Sequence, residues 1–191
     1  MTTLLYSVTA SADGYIAGRG GDMSWLLEFL GEEPNPIFEL VGQRTTALLV
    51  GRTTFDGDDP HAGDPEKEGA FEGQWEGPQV LLTHRPVDSP PANLLVRHTF
   101  DEAVSTARGA AGADGLVNII GADIARQCLA ADLLDQVIIS TVPILLGAGT
   151  PLLSGSIGSY GLELTDESPS RSPRGAHTRH YRVLRRGPKG S

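Results

Sequence analysis

Apolar runs with strand alternation and apolar residues at helical spacing interleave along this chain. Leu4-Leu5-Tyr6-Ser7-Val8-Thr9-Ala10 reads as a strand that enters a core at once. Asp13-Gly14 breaks it, Tyr15-Ile16-Ala17 follows, and Gly18, Gly20 and Gly21 make a flexible loop ending at Met23-Ser24-Trp25-Leu26. Ile37, Leu40 and Val41 fall at i, i+3 and i+4, so a helix starts after Asn35-Pro36. Ala47 to Val50, Gln79 to Leu82 and Leu94 to Arg97 predict further strands. Thr99-Phe100-Asp101-Glu102 is a capping box, opening a helix that runs to about Ala111 and stops at Gly112. Leu116 to Ile120 is almost wholly apolar, as expected of a strand covered on both faces. Ile124, Ala125, Cys128 and Leu129 mark the apolar side of the next helix, and Leu134 to Val142 the next strand. Pro143 and the turn Gly147-Ala148-Gly149 end that region. Tyr160 to Glu167 and His177 to Leu184 predict an antiparallel hairpin around Ser168 to Pro173.

The order implies a mostly parallel sheet of about eight strands with about four helices and an antiparallel edge. No internal repeat or linker interrupts it, so residues 1–186 are expected to form one domain and residues 187–191 a disordered tail. The 191 residues suffice for a proper core, and the 39% apolar content is ordinary for a soluble protein. The net charge of −9 argues against broad binding to nucleic acid or anionic membrane, which needs a basic surface. No signal peptide precedes the first strand and no apolar stretch nears membrane-spanning length, as expected of a cytoplasmic enzyme. The single cysteine, Cys128, excludes an internal disulfide and reads as a small buried hydrophobe rather than a reactive thiol. Residues 56–78, rich in Asp, Glu, Gly and Pro, read as a solvated excursion rather than a site for a hard cation. His177 and His180 fall on opposite faces of a strand and cannot chelate one metal, while His61 and His98 read as surface residues.

Candidate chemistry collects at three strand ends: Gly51-Arg52-Thr53-Thr54, Thr83-His84-Arg85, and Gly121-Ala122-Asp123-Ile124. Ligands of open α/β sheets gather at the carboxyl ends of strands, and helix N-termini with an Arg alongside suit a multiply charged anion. Each corner taken alone also fits a plain turn or strand exit. Three in one chain point to a nucleotide with several phosphates, and so to a redox cofactor. Gly147-Ala148-Gly149 resembles the start of a dinucleotide fingerprint, but Pro151 follows and no helix does, which rules out a second nucleotide site there.

In order and spacing, four segments resemble the dihydrofolate reductase-like family, in particular the reductase domain at the carboxyl end of bifunctional riboflavin biosynthesis proteins. They are Ser11 to Ala17, Gly51 to Phe55, Gly121 to Gln127, and Leu134-Asp135 followed by Pro143 to Leu152. The resemblance spans about residues 3–185 and implies a three-layer α/β/α fold with NADPH as hydride donor. By position it places Val8 and Thr9 at the nicotinamide and Ile16 in the loop that covers it. Gly51, Arg52, Thr53 and Thr54 would hold the diphosphate, with Gly121, Ala122, Asp123 and Ile124 approaching from the other side. Thr83, His84 and Arg85 would sit at the adenosine 2′-phosphate, whose charge favours NADPH over NADH.

Two departures from the family matter. Ile120-Gly121 stands where many relatives carry Gly-Gly, so a strained peptide there is expected to be relaxed or absent. The helix carboxylate of true dihydrofolate reductases is replaced by Asn35, with Glu39 one turn on as a shifted substitute. The expectation is therefore a stand-alone reductase resembling 5-amino-6-(5-phosphoribosylamino)uracil reductase, delivering hydride to a small carbonyl or imine. The alternatives are a nucleotide-binding protein without turnover, or a pterin reductase. No zinc deaminase signature accompanies it. Asp13 is the candidate polar group beside the substrate, with capping of its own turn as the competing role. Trp25 fits either a pocket wall or loop packing. A homodimer is expected, since residues 143–152 and the late strands offer an apolar surface and relatives pair there.

Overall fold

The computed structural model describes residues 1–29, 36–57, 69–71, 73–153, 155, 158–169 and 175–185. Their order is β1 (Thr3–Ser11), β2 (Tyr15–Ala17), α1 (Pro36–Arg44), β3 (Thr45–Gly51), α2 (Arg52–Phe55), β4 (Gln79–Leu82) and β5 (Leu94–Arg97). Then come α3 (Phe100–Ala111), β6 (Leu116–Ile120), α4 (Ala122–Ala130), β7 (Gln136–Val142), β8 (Thr150–Pro151), β9 (Gly161–Pro169) and β10 (His177–Leu184). Eight strands form one sheet in the order β5-β4-β3-β6-β1-β7-β10-β9, and β2 pairs with β8 in a separate ribbon. The six strands from β5 to β7 are parallel, while β10 and β9 close the sheet as an antiparallel edge.

Alternation along the strands explains the layers. Leu4 and Tyr6 of β1, with Leu49, Val80 and Ile119, pack under Ala103, Val104 and Ala107 of α3 and Ile124, Ala125, Cys128 and Leu129 of α4. Leu5 points the other way and joins Ile138 beneath Ile37 and Val41 of α1. Helices therefore cover both faces of one sheet, and each fully buried Leu or Ile contributes about 1.5–3 kcal/mol. A third cluster seats Trp25 and Leu26 on Val142 at the end of β7, with Met23, Ile144 and Leu146 around them. Among the described residues no helix is long and apolar enough to cross a membrane.

Several boundaries differ from the periodicity. β7 starts at Gln136 rather than Leu134, because Asp135 is used otherwise: its N–H donates to the Leu4 carbonyl and its Oδ2 accepts the Leu4 N–H, both at 3.0 Å. The glycine loop after β2 holds two 3₁₀ turns, Arg19–Gly21 and Ser24–Glu28. The turn at residues 147–149 leads into β8 rather than simply ending the region. The capping box at α3 forms as read: Thr99 Oγ1 accepts the Glu102 N–H at 3.3 Å and donates to Glu102 Oε2 at 2.9 Å. The acidic positions Asp58, Asp59, Asp64, Glu66 and Glu68, with His61, Asn35, the hairpin turn at 170–174 and the tail, lie outside the described residues.

Candidate functional site

Sheet register brings the three strand ends together. β4, β3 and β6 are neighbours, with Gly51 beside Leu82 and Val50 beside Ile120. The next residues, Thr83 and Gly121, therefore leave the sheet level with the Gly51 corner. β1 pairs Tyr6 with Ile119, so Val8 reaches the same level. The close approach is visible at Gly121: with φ +123°, a Cβ there would lie 2.8 Å from Thr54 Oγ1 and 3.8 Å from the Gly51 nitrogen. Only glycine fits that backbone in that space. Among the described residues there is no cis peptide bond.

Two helices begin at this junction, α2 after Gly51 and α4 after Gly121, and neither has a side-chain cap. α3, which begins elsewhere, is capped by Thr99. The first-turn N–H groups of α4 are thus open to an anion. The Asp123 carboxylate is directed away along the helix, accepting from Arg126 at 2.7 Å and Gln127 at 2.8 Å. Ile124 is buried in the core, its Cδ1 3.5 Å from where a Gly51 Cβ would stand, so only its backbone is available to a ligand.

Beside the junction opens a cleft of about 670 Å³, lined by Thr53, Asp56 and Arg85 on one side and Arg19, Gly149 and Thr150 among those on the other. That volume lies within the range of ordinary ligand sites. Arg52 Nε and Arg85 Nη2 both donate to one oxygen, Asp56 Oδ2, at 2.6 and 2.9 Å. Arg52 also donates to the Pro86 carbonyl at 3.1 Å. The Arg52 hydrogen bond holds the Asp56 carboxyl below the usual carboxylate range. Asp56 thus belongs to the corner and not to a solvated excursion; the signal was its i, i+4 spacing from Arg52, hidden by the acidic run that follows. Thr83 is buried and its hydroxyl accepts the Arg85 N–H at 3.1 Å, fixing the turn rather than facing the cleft. His84 is exposed. His98, at the surface as read, has its Nδ1 2.7 Å from the Thr83 carbonyl; a carbonyl only accepts, so Nδ1 donates.

Across the cleft, Arg19 stands between glycines, exposed and with no partner among the described residues. The wall behind it is the β2–β8 ribbon that carries Ile16. Gly149 is required there: at φ +145° its Cβ would lie 2.0 Å from the Ala17 carbonyl oxygen. Asp13 anchors the approach to this wall. It accepts from Ser11 Oγ at 2.7 Å, Leu146 N–H at 3.1 Å and Gly147 N–H at 2.7 Å. These bonds, that from Ser11 foremost, pull its pKa down, so at neutral pH it is an ionised loop anchor without a proton to give.

The remaining expected residues fall elsewhere. Trp25 is buried, donates to the Asp22 carbonyl at 3.2 Å and packs on Val142, which is the loop-packing role. Glu39 lies on the exposed side of α1 beside Gln43. Val8 packs on the α3/α4 side, and Thr9 points to the α1 side. That side also carries Ser7, bonded to Asn118 at 2.8 Å, and Ser140, bonded to Thr178 at 2.8 Å. Burial pushes the Cys128 thiol up to about 12, as befits an inert core residue.

Comparison with protein families matches residues 2–178 to the RibD C-terminal domain. The chain belongs to that family. Among curated proteins, the uncharacterized protein YwjB of Bacillus subtilis (strain 168) is 24% identical over 169 residues, covering 88% of this chain and 87% of YwjB. A Shewanella sp. PV-4 protein assigned to riboflavin biosynthesis superposes with a TM-score of 0.70 at 23% identity, over 96% of this chain and 99% of that one. Enterococcus faecalis dihydrofolate reductase, solved in complex with NADP(H) and RAB-propyl, gives 0.63 at 16% identity over 97% of both chains. The Thermotoga maritima diaminohydroxyphosphoribosylaminopyrimidine deaminase/5-amino-6-(5-phosphoribosylamino)uracil reductase gives 0.61 at 16% identity, over 96% of this chain but 57% of that longer one. This RibD C-terminal domain has the dihydrofolate reductase-like fold.

Proposed function

We propose that the chain is an NADPH-dependent reductase that delivers hydride to a small carbonyl or imine, as in the 5-amino-6-(5-phosphoribosylamino)uracil reductase reaction. The observation that carries this reading is that Thr53 and Arg85 line one cleft, while the uncapped α4 start lies beside it, Gly121 packing against Thr54 of the same turn. The residues fit the cofactor's charges. N–H groups of Ala122 and Asp123 and of the Thr53 turn suit the diphosphate, and Arg85 suits the 2′-phosphate. When bound, NADPH supplies the hydride. The protein positions the two reacting carbons: Val8 and Thr9 stand level with the Gly121 corner, and the hydroxyl and amide groups of Ser7, Asn118 and Ser140 lie on the side Thr9 faces. Asn118 and Ser140 are buried and paired, so the part-exposed Ser7 and Thr9 are the groups of that face left for an acceptor to meet.

Titrating the protein with NADPH and following the cofactor's fluorescence tests the reading. Saturable binding in the micromolar range, tighter than for NADH, supports it; no binding at high micromolar NADPH refutes it. A second reading, binding without turnover, draws on Asp13 being wholly engaged as an ionised anchor. Steady NADPH oxidation with a pyrimidine ribityl precursor, a pterin or a small carbonyl would dispose of it. We also propose a homodimer across the β9 edge, where Leu162 and Leu164 are exposed; gel filtration showing only monomer would end that proposal.

A further inference from the structure

Among the described residues that line the cleft, Asp56 is the only acidic side chain, and one of its oxygens takes both neighbouring guanidinium groups. We propose that Asp56 is an internal counter-anion, which the phosphate of a 2′-phosphorylated dinucleotide displaces from Arg85, so that this carboxylate sets how strongly the cleft prefers a 2′-phosphate to a bare ribose. The inference rests on the cofactor reading above and adds to it the residue that limits selectivity.

The two arginines are held differently. Arg52 bonds Asp56 at 2.6 Å and the Pro86 carbonyl at 3.1 Å, lies 5.8 Å over the Phe55 ring, and is 23% exposed. Of these three described restraints it keeps two without Asp56. The Arg85 side chain is 65% exposed and, among the described residues, its guanidinium bonds Asp56 alone, at 2.9 Å. It is anchored at the backbone, where its N–H reaches Thr83 Oγ1 at 3.1 Å. Arg85 is thus the arm free to change partners.

An exposed ion pair of this kind is weak and easily exchanged. A phosphate monoester carries more charge than a carboxylate, and its oxygens fit the guanidinium fork in two places. Asp56 opposes that exchange twice, by occupying Arg85 and by repelling the arriving anion. With Asp56 the group of Arg52, Arg85 and Asp56 carries a net charge of +1; without its charge, +2. The alternative is that Asp56 is a strut aligning Arg85 for the phosphate. That predicts the opposite sign, because loss of the strut would weaken binding.

The test is titration of the wild type, Asp56→Asn and Asp56→Ser with NADPH and NADH by fluorescence. The same proteins are titrated with adenosine 2′,5′-bisphosphate and AMP by calorimetry, at low and high salt, with circular dichroism confirming the fold. Both variants should bind NADPH and the bisphosphate about three- to tenfold more tightly, with NADH and AMP within about twofold of wild type, and salt should shrink the gain. Unchanged or weaker binding of the 2′-phosphorylated ligands, or an equal gain for NADH and AMP, overturns the proposal. Wild type that prefers NADPH with variants that do not raise the preference refutes this inference alone. Failure of every protein to bind either dinucleotide refutes the cofactor reading and this inference together.

Discussion

Replacing Gly149 by Ala probes the cleft wall at its tightest point. The added Cβ would stand 2.0 Å from the Ala17 carbonyl oxygen and 3.0 Å from the Ala17 and Gly18 carbonyl carbons, at φ +145°. These are backbone atoms, so no rotamer change relieves the clash; β2 and β8 must part. That pairing joins Tyr15 to Pro151 and Ala17 to Thr150, and it is extended by the Leu152 N–H bond to the Gly14 carbonyl at 2.8 Å. Holding an L-residue in that conformation costs about 1–3 kcal/mol, and each lost hydrogen bond about 1 kcal/mol. The expected destabilisation is about 2–4 kcal/mol, which for a chain of this size lowers the melting temperature by about 6–12 °C. Gly147→Ala is the control. Its φ of +71° is strained but nothing lies within 4 Å of the new Cβ, so the loss should be about 1 kcal/mol. Thermal melts by circular dichroism read both. NADPH affinity well below the melting range should fall for Gly149→Ala and hold for Gly147→Ala, since Gly149 lines the cleft. A Gly149→Ala melt within about 2 °C of wild type, or a loss no larger than that of the control, would refute the reasoning.

Further outcomes follow from the charged groups. Arg85→Ala should weaken NADPH binding and leave NADH nearly unchanged, whereas Arg19→Ala, if its cation meets the shared diphosphate across the cleft, should weaken both alike; parallel fluorescence titrations decide. Asp13 titrates below its free value of 3.8, so the stability it contributes is present above that value and is lost as pH falls through its lower folded value. Asp13→Asn should flatten that acid limb of a melting-temperature profile and speed hydrogen exchange at the Leu146 and Gly147 amides. Cys128, buried with its thiol pushed up to about 12, should resist a thiol reagent at pH 8 until denaturant is added.

Periodicity alone located most of the sheet and its helices because the burial is two-sided. Leu4, Leu5 and Tyr6 must each find a core, and a nearly unbroken apolar strand is what a sheet covered by helices requires. The β2–β8 ribbon was not legible in this way: strands of three and two residues carry no alternation to read. The convergence of Gly51, Thr83 and Gly121 depends on register between β4, β3 and β6, which local sequence does not encode. The role of Asp13 was equally remote, since the two amides it accepts lie 133 and 134 residues away. The Asp56 pairing was local, one helical turn from Arg52, yet the acidic composition downstream masked it.

The central claim is that a pyridine dinucleotide lies where these three strand ends meet. A crystal structure of the protein soaked with NADP⁺ tests it most directly. The account predicts the diphosphate on the Ala122 and Asp123 N–H groups beside the Gly51–Thr54 turn, with the 2′-phosphate on the Arg85 guanidinium. A dinucleotide bound at another face, or one whose phosphates meet neither the α4 start nor Arg85, would contradict it.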